Sequence, residues 1–250
     1  MKATGERPRL VALFSDFGWQ GPYLGQMTAV LAAAGVQAPV VNLMADAPLF
    51  DPRASAYLLA PLARNMPSAT LFLSVVDPGV GGQRKALLIT TETAWFVGPD
   101  NGLFSQVLRG AAAAQVWCVD WRPERLSDSF HGRDLFAPVA ASICNGRPLP
   151  LSPLDGHELV GCDWPDDLQQ IIYIDHYGNA FTGIRGCTLQ PDAILAVKGA
   201  QIRHARTFCT VPPATPFWYT NSQGLVEIAV NQGRADSVLA LKPGSAVVVH

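Results

Sequence analysis

Charge is scarce in this sequence. Only 15% of its 250 residues are Asp, Glu, Lys or Arg, and they nearly cancel to a net −2. No basic stripe is present to track a phosphate backbone or lie on an anionic membrane, so nucleic-acid and membrane partners are excluded. Cysteine is sparse as well. Cys118, Cys144, Cys162, Cys187 and Cys209 are odd in number, scattered and never spaced CxxC. That excludes a disulfide framework and a zinc ribbon and fits reduced thiols in the cytoplasm. No apolar run reaches the roughly 18 residues of a membrane helix, and MKATGERPRLVALF lacks a signal-peptide layout. Several chemical motifs are missing too. No GK[ST] closes a phosphate loop, no GxGxxG opens a helix, no serine sits in GxSxG, and HExxH does not occur.

What is present is apolar. Hydrophobic residues make up 49% of the chain, enough for a sizeable core, and the low charge fits a surface partly covered by another subunit. RLVALFSD reads as a buried strand ending at Asp16, and GPYLGQMTAVLAAAG has helical spacing closed by Gly35. PVVNL, ATLFLSVVD, ALLITTETAWFVG and AQVWCVD read as further strands, DPRASAYLLAPLARN and LFAPVAASICNGRP as helices. Alternating strands and helices predict an α/β domain over residues 1–150 with a mainly parallel sheet. Residues 151–168, rich in proline and acid, read as a linker. Short β-branched runs punctuated by glycine then predict a smaller all-β domain over 169–250, with no convincing helix.

Polar groups gather where the α/β strands end, the rim on which such sheets bind ligands. Asp16 closes LFSD, Asp77 closes SVVD, Pro99–Gly102 (PDNG) closes WFVG, and SFHGRD leads into the Pro138 helix. Each has a plain structural reading: Asp16 as a helix cap, PDNG as a turn, His131 as a satisfied structural histidine. DPGVGGQR is harder to dismiss, because adjacent glycines can converge backbone N–H groups into an anion-binding nest, with Arg84 just beyond. Asp77, Arg84 and His131 would form a polar pocket able to orient one water or small anion. A metal site from Asp16, Asp77, His131 and Asp134 lacks ligand spacing, and no metal is expected. In the second domain, Asp175, His176, Tyr177 and Asn179 interrupt a strand pair, and Tyr219, Asn221, Ser222 and Glu227 lie along a strand–turn–strand; Glu227 stands among apolar neighbours.

SDFG (15–18), GPYLGQM (21–27), DPGVGGQR (77–84), GPDNG (98–102), FHGRDLFAP (130–138), IDHYGNAFTGI (174–184) and NSQGLVEIAVN (221–231) occur together in this order. The chain thereby resembles the S-adenosyl-L-methionine hydroxide adenosyltransferases, hydrolases related to the fluorinase and chlorinase. The resemblance runs from about residue 10 to the C-terminus. It implies a Rossmann-like N-terminal α/β domain, a barrel-like C-terminal β domain, and a homotrimer with active sites at the subunit interfaces. S-adenosyl-L-methionine would be substrate rather than cofactor, no other cofactor being needed, and adenosine and methionine the products. By resemblance Asp77, Arg84 and His131 position the attacking water, Asp16 holds the ribose hydroxyls, and Phe50 packs on the ribose. Asp175 and Ser222 would engage the methionine end, and Asn179 would read adenine. Tyr177, Phe208, Tyr219, Glu227 and Val230 would lie near the adenosine. Departures fall at Thr28, Ala45 and Gly183, where relatives often carry lysine, histidine and asparagine. A halide-using transferase and a non-catalytic binding protein are the alternative readings; the intact triad favours water.

Overall fold

The computed structural model describes residues 7–250. Two compact units divide between Trp164 and Pro165. The first is built on one seven-stranded sheet: β1 (Leu10–Ser15), β2 (Val40–Met44), β3 (Thr70–Val75), β4 (Ala86–Thr91), β5 (Ala94–Pro99), β6 (Ala114–Val119) and β7 (Leu151–Leu154). Their order is β2-β1-β3-β5-β4-β6-β7. The helices are α1 (Tyr23–Ala33), α2 (Pro52–Arg64), α3 (Ser105–Gly110) and α4 (Ala137–Cys144).

The expectation of a mainly parallel sheet holds for strand direction and fails for pairing. β1, β2, β3 and β5 pair in parallel, whereas β4 pairs antiparallel with both β5 and β6, and β7 antiparallel with β6. Two reversals restore the direction at β6, so β1, β2, β3, β5 and β6 all end on one rim. β4, running the other way, begins there. That reversal carries Arg84, two residues before β4, to the same rim as Asp16 and Asp77.

Strands covered on both sides need unbroken apolar sequence, and β3 is buried throughout. Val11, Leu13, Leu71 and Leu73 join Met27 and Leu31 of α1 and Val139, Ala140 and Ile143 of α4 in one core. Each of the Val, Leu, Ile and Met side chains contributes about 1.5–3 kcal/mol on burial. α2 starts as its sequence suggests: the Asp51 carboxylate accepts from Ala54 N–H at 2.9 Å and Pro52 occupies the first turn.

The segment 151–168 is not a free linker. Its first residues form β7, whose Pro153 sits opposite Trp117 on the sheet edge, where a missing N–H costs no ladder bond. A 3-10 turn at Gly156–Glu158 and the buried Leu159 follow.

The second unit contains β8 (Leu168–Ile174), β9 (Ala180–Arg185), β10 (Ile194–Val197), β11 (Ala200–Arg203), β12 (Pro216–Thr220), β13 (Leu225–Val230), β14 (Val248–Val249) and one helical turn, α5 (Ala235–Val238), missing from the sequence reading. The strands form two antiparallel sheets, β12-β13-β9-β8 and β11-β10-β14. Single bridges, His204 to Trp218 and Gln170 to Ala246, join their edges, so the strands close on themselves. Trp218, Ile171, Leu195, Val226, Ile228 and Val230 fill the interior, and the indole N–H of Trp218 donates to Ala193 O at 3.0 Å.

Candidate active site

The loop from Asp77 to Arg84 turns back twice within itself, Val80 N–H to Asp77 O (3.1 Å) and Gly82 N–H to Gly79 O (3.0 Å). Gly81 has φ +82°, and a Cβ there would lie 2.6 Å from the Asp128 carbonyl oxygen. Gly81 therefore serves close approach: it lets this loop press against the backbone that leads to His131.

That approach assembles the three rim residues. Arg84 Nε donates to both oxygens of Asp77 at 2.9 Å, and Nη2 bonds Asp77 Oδ2 and also reaches His131 Nδ1 at 2.9 Å. Asp77 and Arg84 are nearly buried and the guanidinium lies 5.3 Å over the Phe136 ring. Arginine has donors only, so His131 Nδ1 must accept, and the network assigns a neutral imidazole with its proton on Nε2. Burial, reinforced by the Arg84 charge, holds the His131 pKa below the ordinary histidine value. His131 itself opens a continuous helix whose next five residues, Gly132–Phe136, form a π turn before α4. Pro138 has no N–H to offer the Asp134 carbonyl, and the looser turn follows. The sequence reading started that helix at Leu135, too late.

Asp16 lies on the same rim, where the Asp77 charge reaches it; burial first, then that charge, raise its pKa against the lowering effect of its backbone hydrogen bonds. Its Oδ2 accepts the Phe50 N–H at 3.0 Å. Phe50 has φ +56°, a strained conformation for an aromatic residue, and the residue is 69% exposed. Asp134, raised as a metal ligand, is instead bound by Arg133 and by Ser127 N–H. Among the described residues no group of three or more His, Cys, Asp or Glu could hold a metal ion.

A second polar cluster belongs to the barrel unit. Asp175 accepts the Asn179 N–H at 2.9 Å and its Nδ2 at 3.1 Å. Glu227, only 2% exposed, accepts from the Tyr219 hydroxyl at 2.6 Å and from Asn221 Nδ2 at 2.8 Å. Burial raises the pKa of Glu227, and burial with the bond to Glu227 raises that of Tyr219. Asn221 Oδ1 receives Gln223 N–H and Leu225 N–H, fixing the turn that carries Ser222. The sequence names Asn221 among the polar residues of this strand–turn–strand without a role; an asparagine opening a tight turn is the signal for it. Phe208 packs edge-on against Tyr219 and Phe217. Each carboxylate oxygen of Glu227 thus accepts one bond from a neighbour, so it organises the cluster. Val230 turns into the barrel core, so its side chain is not available to a ligand on the Glu227 face. Tyr177 is 74% exposed.

The five cysteines are unpaired, and no helix among the described residues is long and apolar enough to cross a membrane. Models of the S-adenosyl-L-methionine hydroxide adenosyltransferase N-terminal and C-terminal domains match residues 11–152 and 169–248. An (R)-S-adenosyl-L-methionine hydrolase of Salinispora arenicola is 35% identical, over 94% of this chain and 95% of its own. A protein of the same name from Thermus thermophilus is 34% identical, over 96% and 98%. An uncharacterized conserved protein from Thermotoga maritima superposes with a TM-score of 0.86 at 28% identity, covering 96% of this chain and 100% of that one.

Proposed function

The chain belongs to the S-adenosyl-L-methionine hydroxide adenosyltransferase family, and from that premise we propose that it hydrolyses S-adenosyl-L-methionine to adenosine and L-methionine. The names of its relatives favour the (R) sulfonium diastereomer. The observation that carries the reading is the Asp77–Arg84–His131 chain of hydrogen bonds. It supplies a buried, ordered set of polar groups at the rim without any covalent nucleophile.

The substrate is a sulfonium cation, so methionine departs as a neutral thioether and needs no acid. Water attacks C5′ in line, the C5′–S bond breaks, and its electron pair stays on sulfur. Fixing the water behind C5′ can supply about 7–11 kcal/mol of the barrier. His131, its Nδ1 occupied by Arg84, donates from Nε2 and orients the water's lone pair. As the C–O bond forms, the oxygen becomes strongly acidic, and a weak base suffices; Asp77 takes the proton, a step of the kind worth about 10²–10⁴-fold. Asp16 Oδ1 is the oxygen available to the ribose hydroxyls, Oδ2 being held by Phe50 N–H. Asp175, Asn179, Tyr219 and Ser222 hold the rest of the substrate, Asn179 facing adenine. The triad and this second set lie on different units. By the family likeness, we propose a homotrimer in which one subunit's triad serves substrate held by its neighbour's barrel.

Incubation of both sulfonium diastereomers in oxygen-18 water with high chloride tests the reading by mass spectrometry. Adenosine labelled at the 5′ oxygen, with methionine, is expected. Chlorinated adenosine would make the protein a halide-using transferase, and binding without product would overturn catalysis.

A further inference from the structure

The Asp77–Arg84 loop is secured at both stems by one short turn, Pro99–Gly102. Asp100 N–H donates to Lys85 O at 3.0 Å, next to Arg84. The Asn101 side chain donates from Nδ2 to Val76 O at 2.8 Å, next to Asp77, while its Oδ1 accepts Leu103 N–H at 3.3 Å. The two bonds fix which end of the amide faces which partner. β3 has already ended at Val75, and its pairing with β5 stops at Leu73 and Val97. The Val76 carbonyl is thus beyond the ladder, on a residue with no exposed surface. Asn101 supplies the donor that the sheet does not.

This bond controls more than a carbonyl. The Val76 C=O belongs to the peptide plane that enters Asp77. Released, the carbonyl no longer pins that plane: opposite changes in Val76 ψ and Asp77 φ would turn the peptide alone, and any uncompensated change in Asp77 φ swings the Asp77 Cβ. Arg84 follows through its three bonds to the carboxylate, and the Arg84–His131 contact follows Arg84. The turn itself is rigid. Gly102 has φ +94°, and a Cβ there would lie 2.2 Å from the Trp164 ring.

We propose that Asn101 is a positioning residue for the reaction, holding the triad in register through the Val76 carbonyl without touching substrate. The proposal rests on the triad reading above. Asn101→Asp tests it at constant shape: the acceptor for Leu103 is kept, while the donor to Val76 O is replaced by an oxygen that repels it. At saturating substrate kcat is expected to fall at least about tenfold, which is about 1.4 kcal/mol of barrier, with KM and adenosine affinity within about threefold. The His131 imidazole, followed by NMR and assigned with a His131→Asn sample, should titrate higher than in the wild type as Arg84 moves off Nδ1. Wild-type kcat and wild-type His131 titration in Asn101→Asp would overturn the proposal. So would loss of KM and adenosine affinity at unchanged kcat, which would make Asn101 a substrate contact. Should Asn101→Asp fail to fold, Asn101→Gln keeps both groups but displaces them by one methylene, and the same outcomes decide. The titration requires no turnover, so it judges the positioning of the triad even if the wild-type protein does not hydrolyse the sulfonium.

Discussion

Arg84 makes every contact of the triad: two bonds from Nε and two from Nη2. Only a planar fork can reach a carboxylate and an imidazole together, so lysine is no conservative replacement here. His131 is held neutral by burial and by this cation, and that has a sign. With its folded pKa below the unfolded value near 6.5, the folded protein binds the His131 proton less readily than the unfolded chain. Its contribution to stability is therefore complete above about pH 6.5 and declines as pH falls through the window down to the folded pKa. Activity should follow the folded value, since protonated Nδ1 cannot accept from Arg84. We expect kcat/KM to show an acid limb with an apparent pKa below 6.5, and Arg84→Lys to move that limb upward while lowering kcat at least about tenfold. A limb that stays in place in Arg84→Lys would show that His131 does not titrate against the guanidinium.

At the scale of elements, the glycine-rich loop and the π-opened helix must meet for the triad to exist. Gly81 is the tightest point of that meeting. Alanine there adds about 1–2 kcal/mol of left-handed strain and sets a Cβ against the Asp128 carbonyl. Gly81→Ala should lower the melting temperature by several degrees, a shift calorimetry would show, and should lower kcat by more than Gly79→Ala, whose Cβ would meet only the Asp77 side chain, at 4.0 Å. Equal effects of the two would mean the loop does not need the approach at Gly81. The element pattern explains why the rim was legible before the structure. Strand periodicity placed Asp16, Asp77 and Asp100 at strand ends, and β6 shares their direction because two antiparallel pairings cancel. The β7 strand was not legible. Two of its four residues, Leu151 and Leu154, are half-buried edge positions, and a proline argues against a strand unless the edge is known.

At the scale of the molecule, the proposed trimer makes complementation the informative test. A chain carrying Asp77→Ala and one carrying Asn179→Ala would each be inactive alone. Co-expressed and purified as mixed trimers, they should regain roughly a third of wild-type activity, because one of the three interfaces in each mixed trimer joins an intact triad to an intact barrel cluster. No recovery in mixed trimers would mean that each chain completes its own site, and a chain that sediments at 26.8 kDa would contradict the trimer itself.

Sequence by itself determined the two-part architecture, because periodicity and composition report burial locally: unbroken apolar strands with helices first, short β-branched runs afterward. It also brought every triad residue onto one rim. Only the tertiary structure decided what those residues do to each other. Arg84 and His131 are 47 positions apart, and nothing local states that one nitrogen of the imidazole is taken, which fixes the tautomer. Likewise the sequence places Glu227 among apolar neighbours, and only the fold shows that Tyr219 and Asn221 close on it. A buried carboxylate must be satisfied by whatever lies beside it, and which groups lie beside it is settled by the packing of strands distant in sequence.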